Sequence, residues 1–504
     1  MAGIRTGLGA LWRAPDSANM IQQNGEWFTW GQVRVLVERI DEVLTGVGCE
    51  EGSRIGVVLG NRMESIAALV AILGKGRTIV TLNPMQPAAR VASDLVNSLP
   101  QVVLAPAAIW AEAEFASAAE EAGILGFAVD GSTVEQRCGG PAVTIEADRD
   151  EQNPVAVEMF TSGTTGPPKR VPLTWRQLDA AMSAVHSHTG AAGPEREPLT
   201  GRVSLVVLAI VHIGGLWAVL QALTEARPFV LLPRFTVDGW VDAVYEHKPR
   251  IASLPPAAMR SVLSADVPAE KLESLRAVTA GTAFVSPDMA DEFIAKYNLP
   301  VLIVYGATEF SGAVAGWTKP LHIEWWTRKR GSVGRPFPGV DLRTVDENGE
   351  VLQVGETGRL EVRAGQTGAG ADGWMRTSDL AHLDEDGFLY IDGRADDAII
   401  RGGFKVHPEV VSDALRAHPS VLDVCVYGRA DERLGQVPVA VAELVEGAAA
   451  VSEDDLKTFA RNKLTGYEVP VAIHVVDELP RGVSLKIDRR RLLDMVEQLE
   501  AARV

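Results

Sequence analysis

Residues Thr161 to Lys169 read TSGTTGPPK, with two glycines, four hydroxyl side chains, two prolines and a lysine in nine residues. Such a mixture makes a poor helix and a poor strand. Apolar Met159 and Phe160 come before it and Val171 to Thr174 (VPLT) after it, so the segment is a loop between two strand-like pieces. Glycine lets main-chain N–H groups approach phosphate oxygens closely; Ser and Thr hydroxyls add donors, and Lys169 adds a point charge. Composition alone would allow an ordinary surface turn. The position between strands points instead to a polyphosphate cradle. It is not a Walker A loop, which needs Gly directly before Lys, because Pro167 and Pro168 stand there.

A chain of 504 residues is too long for one core and implies two to four domains. Its 46% hydrophobic and 23% charged residues give a globular balance. The net charge of −18 repels nucleic acid and anionic membranes, so an anionic substrate needs a local cationic site. Three scattered cysteines (Cys49, Cys138, Cys425) with no C-x-x-C pair argue against disulfides or structural zinc and fit a reducing cytosol. The opening MAGIRTGLGALWRAP lacks the apolar core of a secretion signal. Leu205 to Leu223 has the length of a membrane span, but His212, Gly214, Gly215 and Gln221 interrupt it. A buried strand, a glycine-containing turn and a buried helix are expected there.

The first ~150 residues alternate strand-like and helical patterns, an α/β layering. Arg54–Leu59 and Thr78–Leu82 read as strands and Glu64–Leu73 as a helix. Ala107–Ala122, rich in Ala and Glu after Pro106, reads as one solvated helix. Val301–Tyr305 reads as a strand. From about Gly331, short strands between Gly and Asp turns suggest a small all-β unit. Beyond Asp397, an α+β module follows: helix Pro408–His418, strands Val421–Tyr427 and Val437–Val445, and helix Glu453–Leu464.

Several clusters carry chemistry. Tyr305-Gly306-Ala307-Thr308-Glu309 ends a strand, where α/β sheets bind ligands. Tyr305 offers a ring for a flat base, and Glu309 offers oxygen to a magnesium ion. Asp379, in WMRTSD, suits the two hydroxyls of a ribose. Lys486, in LPRGVSLKIDRRRL, can neutralise charge developing on a phosphate. Alone, each has a plainer reading: Glu309 and Asp379 as turn residues, Lys486 as one cation in a basic tail, His212 as a core histidine. Trp217, Trp317, Trp325 and Trp326 read as packing residues.

Together the strings TSGTTGPPK, YGATE, DEDGFLYIDGRADDAIIRGGFKVHPEVV and the terminal lysine run resemble, in order, the motifs of the adenylate-forming superfamily: acyl-CoA synthetases, peptide-synthetase adenylation domains and beetle luciferases. The resemblance spans about residues 25 to 495. It implies an α/β fold with a large N-terminal part (1–394) of two α/β subdomains and a β-barrel-like piece, and a small mobile α+β C-terminal domain (395–504). It implies ATP, Mg2+ and CoA as ligands, a carboxylic acid as substrate, and a cytoplasmic enzyme. Catalytic roles fall on Lys169, Glu309 (also the metal ligand) and Lys486. ATP contacts fall on Thr161, Ser162, Gly163, Thr164, Thr165, Gly166, Gly281, Thr282, Tyr305, Gly306, Thr308, Asp379 and Arg394. The acyl pocket takes His212, Gly281 and Ala307, the CoA channel Gly402 and Gly403, and the interdomain hinge Asp396. Arg170, Ser378 and Leu485 replace usual glycines, and Val410 a frequent glutamate. Two other readings stay open: a stand-alone adenylation enzyme that loads a carrier-protein thiol, and a catalytically weak acyl-nucleotide-binding protein. A kinase, which would release ADP and should need a different loop, ranks behind both.

Overall fold

The computed structural model describes residues 3–139, 154–161, 169–189, 197–368, 373–395, 399–401, 404–445, 447–448, 451–482 and 486–501. The chain is a mixed α/β protein with a large N-terminal part and a small C-terminal one.

A seven-stranded sheet runs in the order Thr133–Cys138, Leu125–Asp130, Val102–Ala105, Arg54–Val58, Thr78–Leu82, Val155–Thr161, Lys169–Thr174. Its inner strands are parallel and read as continuous apolar runs, as sheets covered on both faces require. Helix Met63–Gly74 crosses between two of them with ten of its twelve residues buried. A five-stranded sheet follows the order Ile251–Ser253, Ala277–Ala280, Val301–Ala307, Gly312–Gly316, Arg335–Pro336, with its first three strands parallel. A four-stranded antiparallel sheet, Val340–Val345, Gly358–Ala364, Met375–Leu383 and Leu389–Arg394, is the expected all-β unit. The C-terminal part has its own sheet and buries Val406, Val411, Leu415, Val424 and Leu456 in its own core.

The run Leu205–Leu223 contributes to strand Ser204–Val206 and helix Ile213–Thr224, as its interruptions require. Among the described residues no helix is long and apolar enough to cross a membrane. One expectation is corrected. Ala107–Ala122 is not one solvated helix but two, Ala107–Trp110 and Ala113–Glu121. Phe115 is fully buried, Trp110 meets it edge-on at 5.1 Å, and Trp110 Nε1 donates to the Phe127 carbonyl at 3.0 Å. The many Ala and Glu residues concealed a narrow apolar stripe that the adjacent sheet needs as cover.

Candidate active site

Strands Ala277–Ala280 and Val301–Ala307 run parallel, and the candidate site gathers at their carboxyl ends. Gly281 and Thr282 leave the first strand. Thr282 is held at φ +70°, a left-handed conformation that a β-branched residue adopts only under constraint. Its Cγ2 faces the start of helix Ile213–Thr224: a Cβ on Gly214 would stand 3.5 Å from that methyl and 2.9 Å from Leu208 Cδ1.

His212 caps this helix. Asn61 braces the segment that leads to it, donating to the Leu208 and Leu232 carbonyls at 3.0 and 2.8 Å and accepting from the Ile210 N–H at 2.9 Å. His212 Nε2 is buried without a hydrogen-bond partner. Burial lowers the imidazole pKa to about 4, and the positive charge of Lys486 adds to the effect. The ring is therefore neutral at physiological pH.

The second strand ends in Tyr305, Gly306 and Ala307. A Cβ on Gly306 would fall 2.2 Å from the Gly312 carbonyl oxygen, so the tight return to strand Gly312–Gly316 requires glycine. That return sets Gly312 opposite Ala307 in the ladder and under the half-buried Trp217, whose ring lies 3.4 Å from where a Gly312 Cβ would be. Thr308 opens a 3₁₀ turn, Thr308–Phe310, that carries Glu309 at the strand end.

Asp379 and Arg394 come from the antiparallel sheet, where they are directly paired. Tyr305, expected as a stacking surface, also donates its hydroxyl to Asp379 Oδ2 at 2.5 Å. Burial, then the Asp379 charge, raises the phenol pKa well above its usual value, so it remains a donor. Arg394 Nε lies 3.8 Å from Asp379 Oδ1, and its Nη2 donates to Ser378 Oγ at 2.5 Å. Ser378, in a usual glycine position, thus anchors the arginine.

Lys486 arrives from the C-terminal part. Its side chain is open to solvent on one side, yet the surrounding protein lowers its ammonium pKa. Arg394 pushes the same way, while Asp379 and Glu309 oppose. Lys486, Arg394, Asp379, Glu309 and His212 therefore share one electrostatic environment although four separate stretches of chain supply them.

Ser162, Gly163, Thr164, Thr165, Gly166, Asp396, Gly402, Gly403 and Leu485 lie outside the described residues, as do the side chains of Thr161 and Lys169. The backbone register is described: Thr161 faces Lys169 and Phe160 faces Arg170 in an antiparallel pair, so the loop closes a hairpin. Arg170 Nη1 reaches Glu158 Oε2 at 3.4 Å, and Arg54 binds Glu158 through two contacts of 2.7 Å. The extra cation at the loop is thereby partnered at the hairpin's base. Asn61, Trp217 and the Arg54–Glu158 pair were not singled out as site residues. Only the third has a sequence signal, two opposite charges in strand patterns that should be apolar.

Among the described residues no three His, Cys, Asp or Glu side chains cluster as a metal cage. One carboxylate at Glu309 fits a magnesium ion that takes its remaining oxygens from substrate phosphates and water.

Comparison with known proteins identifies the family. Residues 11–370 match the AMP-binding enzyme family, and residues 411–486 match the AMP-binding enzyme C-terminal domain. The 2-succinylbenzoate–CoA ligase of Bacillus licheniformis is 31% identical over 95% of this chain and 97% of its own length. The indoleacetate–CoA ligase of Aromatoleum aromaticum is 29% identical over 94% of this chain and 93% of its own. The ATP-bound structure of MatB from Rhodopseudomonas palustris shares the fold with a TM-score of 0.82 at 22% identity, over 99% of this chain and 100% of that one; the apo structure of MatB gives 0.70. The chain belongs to the AMP-binding enzyme family, within the adenylate-forming superfamily.

Proposed function

We propose that this AMP-binding enzyme is an ATP-dependent acyl-CoA ligase that activates an organic carboxylic acid as an acyl-adenylate and then transfers the acyl group to CoA. A carboxylate is a poor acyl donor because its charge resists nucleophiles. In the first half-reaction it attacks the α-phosphorus of ATP in line, the bond to the bridging oxygen breaks, and pyrophosphate leaves. The mixed anhydride so formed has AMP as a good leaving group. In the second half-reaction the CoA thiol sulfur attacks the acyl carbon, AMP departs and the thiol proton goes to solvent.

The phosphate loop with Lys169 holds the β- and γ-phosphates. Glu309 would hold Mg2+, which would supply positive charge to the phosphates. Asp379 takes the ribose hydroxyls: a carboxylate has about four lone-pair sites, so the Tyr305 contact leaves room. Arg394, fixed by Ser378, completes the ribose site. His212, neutral and with an unused ring nitrogen, faces the acyl end with Gly281 and Ala307. Trp217 and Ala307 make that end flat and apolar, which suits a bulky or aromatic acid. Residues 395–504 form the mobile lid, turning at Asp396 so that Gly402 and Gly403 line the thiol channel. The active form works in the cytoplasm.

The observation that carries the reading is that Lys486, from the C-terminal part, shares its field with Glu309, Asp379 and Arg394 of the body. This fits an adenylation arrangement. CoA as acceptor is supported by the two relatives named CoA ligases. The test is Lys486→Ala, assayed with a panel of acids. Acid-dependent pyrophosphate release should fall by about 100-fold or more, the size of loss seen when a charge-stabilising donor is removed. Thioester synthesis from a supplied acyl-adenylate should persist. Equal loss of both steps would overturn the role of Lys486. A carrier protein outperforming CoA would overturn the acceptor, and an unmutated chain that releases no pyrophosphate with any acid would leave an acyl-nucleotide-binding protein.

A further inference from the structure

Lys486 sits at the end of a short hairpin. Arg481 and Ile487 face each other across an antiparallel bridge, Gly482 N–H donates to the Lys486 carbonyl at 2.8 Å, and Asp488 N–H donates to the Pro480 carbonyl at 2.8 Å. Only three pairs of residues are described at its base, and the direction in which it presents Lys486 depends on what grips that base. Arg481 does this: its Nη2 donates to Asp423 Oδ2 at 2.7 Å and to Glu443 Oε2 at 3.2 Å. Asp423 has a second arginine. Its Oδ1 accepts from Arg416 Nε at 3.1 Å and from the Val424 N–H at 2.8 Å. Both arginines and Asp423 keep only 20–22% of their side-chain surface exposed. Burial opposes ionisation of Asp423, but Arg416 and Arg481 outweigh it and hold its pKa below the usual aspartate value.

The network also touches the body. The Arg416 guanidinium lies 5.9 Å from the centroid of Phe284, within cation–π range. Phe284 stands two residues beyond Thr282, on the turn that borders the candidate site. A continuous path therefore runs from the site's rim through Arg416, Asp423 and Arg481 to the lysine hairpin. Mostly buried ion pairs are weak stabilisers, and apolar replacements often fold as well or better. A purely structural account leaves unexplained why this path joins the lid–body contact to the base of the lysine hairpin.

We propose that Asp423 is a positioning residue for the adenylation step: gripping Arg481 with one oxygen and Arg416 with the other, it sets where the hairpin delivers Lys486 while the lid rests on Phe284. The proposal rests on the role assigned to Lys486 above. It has a consequence that structural support alone does not have. Once the lid turns and the Phe284 contact is gone, the network has no bearing on chemistry.

The experiment measures both half-reactions: acid-dependent ATP–pyrophosphate exchange, and thioester formation from a synthetic acyl-adenylate with CoA. In Asp423→Asn, kcat for exchange should fall roughly 10- to 100-fold, the cost of a misplaced catalytic group of about 1 Å. KM for ATP and the thioester rate should stay within about twofold, and Asp423→Glu should recover part of the loss. Phe284→Leu, at a position 38% exposed and so tolerant of change, guards against a misfolded lid and should show the same selective loss at smaller size. Equal loss in both half-reactions, or no loss in either variant, would overturn the proposal. Lys486→Ala run alongside separates the two ideas. If it abolishes exchange while the Asp423 and Phe284 variants do not, only the positioning role fails; if it leaves exchange intact, the underlying reading fails.

Discussion

His212 illustrates how one residue's surroundings set its chemistry. An imidazole with a pKa of about 4 is depressed from 6.5 by burial first and by Lys486 second. The unfolded chain takes up its proton near pH 6.5, whereas the folded chain resists until about pH 4. The unfolded state thus binds more protons between these values, so stability is full above pH 6.5 and falls as the pH drops toward 4. For one such group the loss between pH 7 and pH 5 is on the order of 2 kcal/mol. His188 and His322 are depressed to about 4 by burial as well and add to the slope. Replacing His212 by Gln should reduce the pH 7 to pH 5 loss by about one histidine's share, on the order of 2 kcal/mol. Chemical denaturation of both proteins at both pH values measures this. An unchanged pH dependence would mean that His212 is not buried neutral.

At the scale of elements, strands and helices with a strong period were legible in the sequence, because burial on two faces leaves no freedom in residue choice. Thr78–Leu82 is found with the expected bounds, and Val301–Tyr305 is extended by two residues. The segment Ala107–Ala122 was misread because alanine suits both a solvated and a packed face, and two aromatics carry the whole decision. Phe115 is fully buried against Trp110, Val103 and Ala105 of the adjoining sheet belong to the same cluster, and a cavity there could not be filled by alanines. Phe115→Ala should therefore destabilise the N-terminal part by about 3–5 kcal/mol, where a solvated helix would lose under 1. Thermal and chemical melts distinguish the two. The candidate site divides in the same way. Glu309, Asp379, Arg394 and Lys486 were legible because each sits in a motif of fixed order. The Tyr305–Asp379 bond, the Ser378 anchor and the Asn61 brace were not, since each joins residues whose separation in sequence carries no pattern.

For the whole molecule the question is what the position of the proposed lid, residues 395–504, commits the enzyme to do. Contacts of this chain agree with a docked lid. Besides Arg416 against Phe284, Asp413 of the lid stands close enough to Asp288 of the body for their charges to interact. The packing around Asp413 raises its carboxyl pKa to about 6 even though 46% of the side chain remains exposed; Arg416 pulls it down, and Glu409 and then Asp288 push it up. If both half-reactions used this one arrangement, fixing it would harm neither. If the lid must turn to admit CoA, fixing it should separate them. Cysteines placed at Asp288 and Asp413 and joined by a short bis-maleimide would fix the lid. Cys138, only partly buried, is replaced by Ser first, while Cys49 and Cys425 are buried. The linked enzyme should keep pyrophosphate exchange within about threefold and lose thioester formation by roughly 100-fold or more, because a step that needs domain rotation cannot proceed. The unlinked double variant is the reference for both rates, because Asp413 also accepts from Arg416 Nη1 at 2.8 Å and its loss alone touches the network that positions Lys486. A linked enzyme that forms thioester at full rate would show that this lid position serves both steps, and Lys486 would then have to remain beside the adenylate while the thiol attacks.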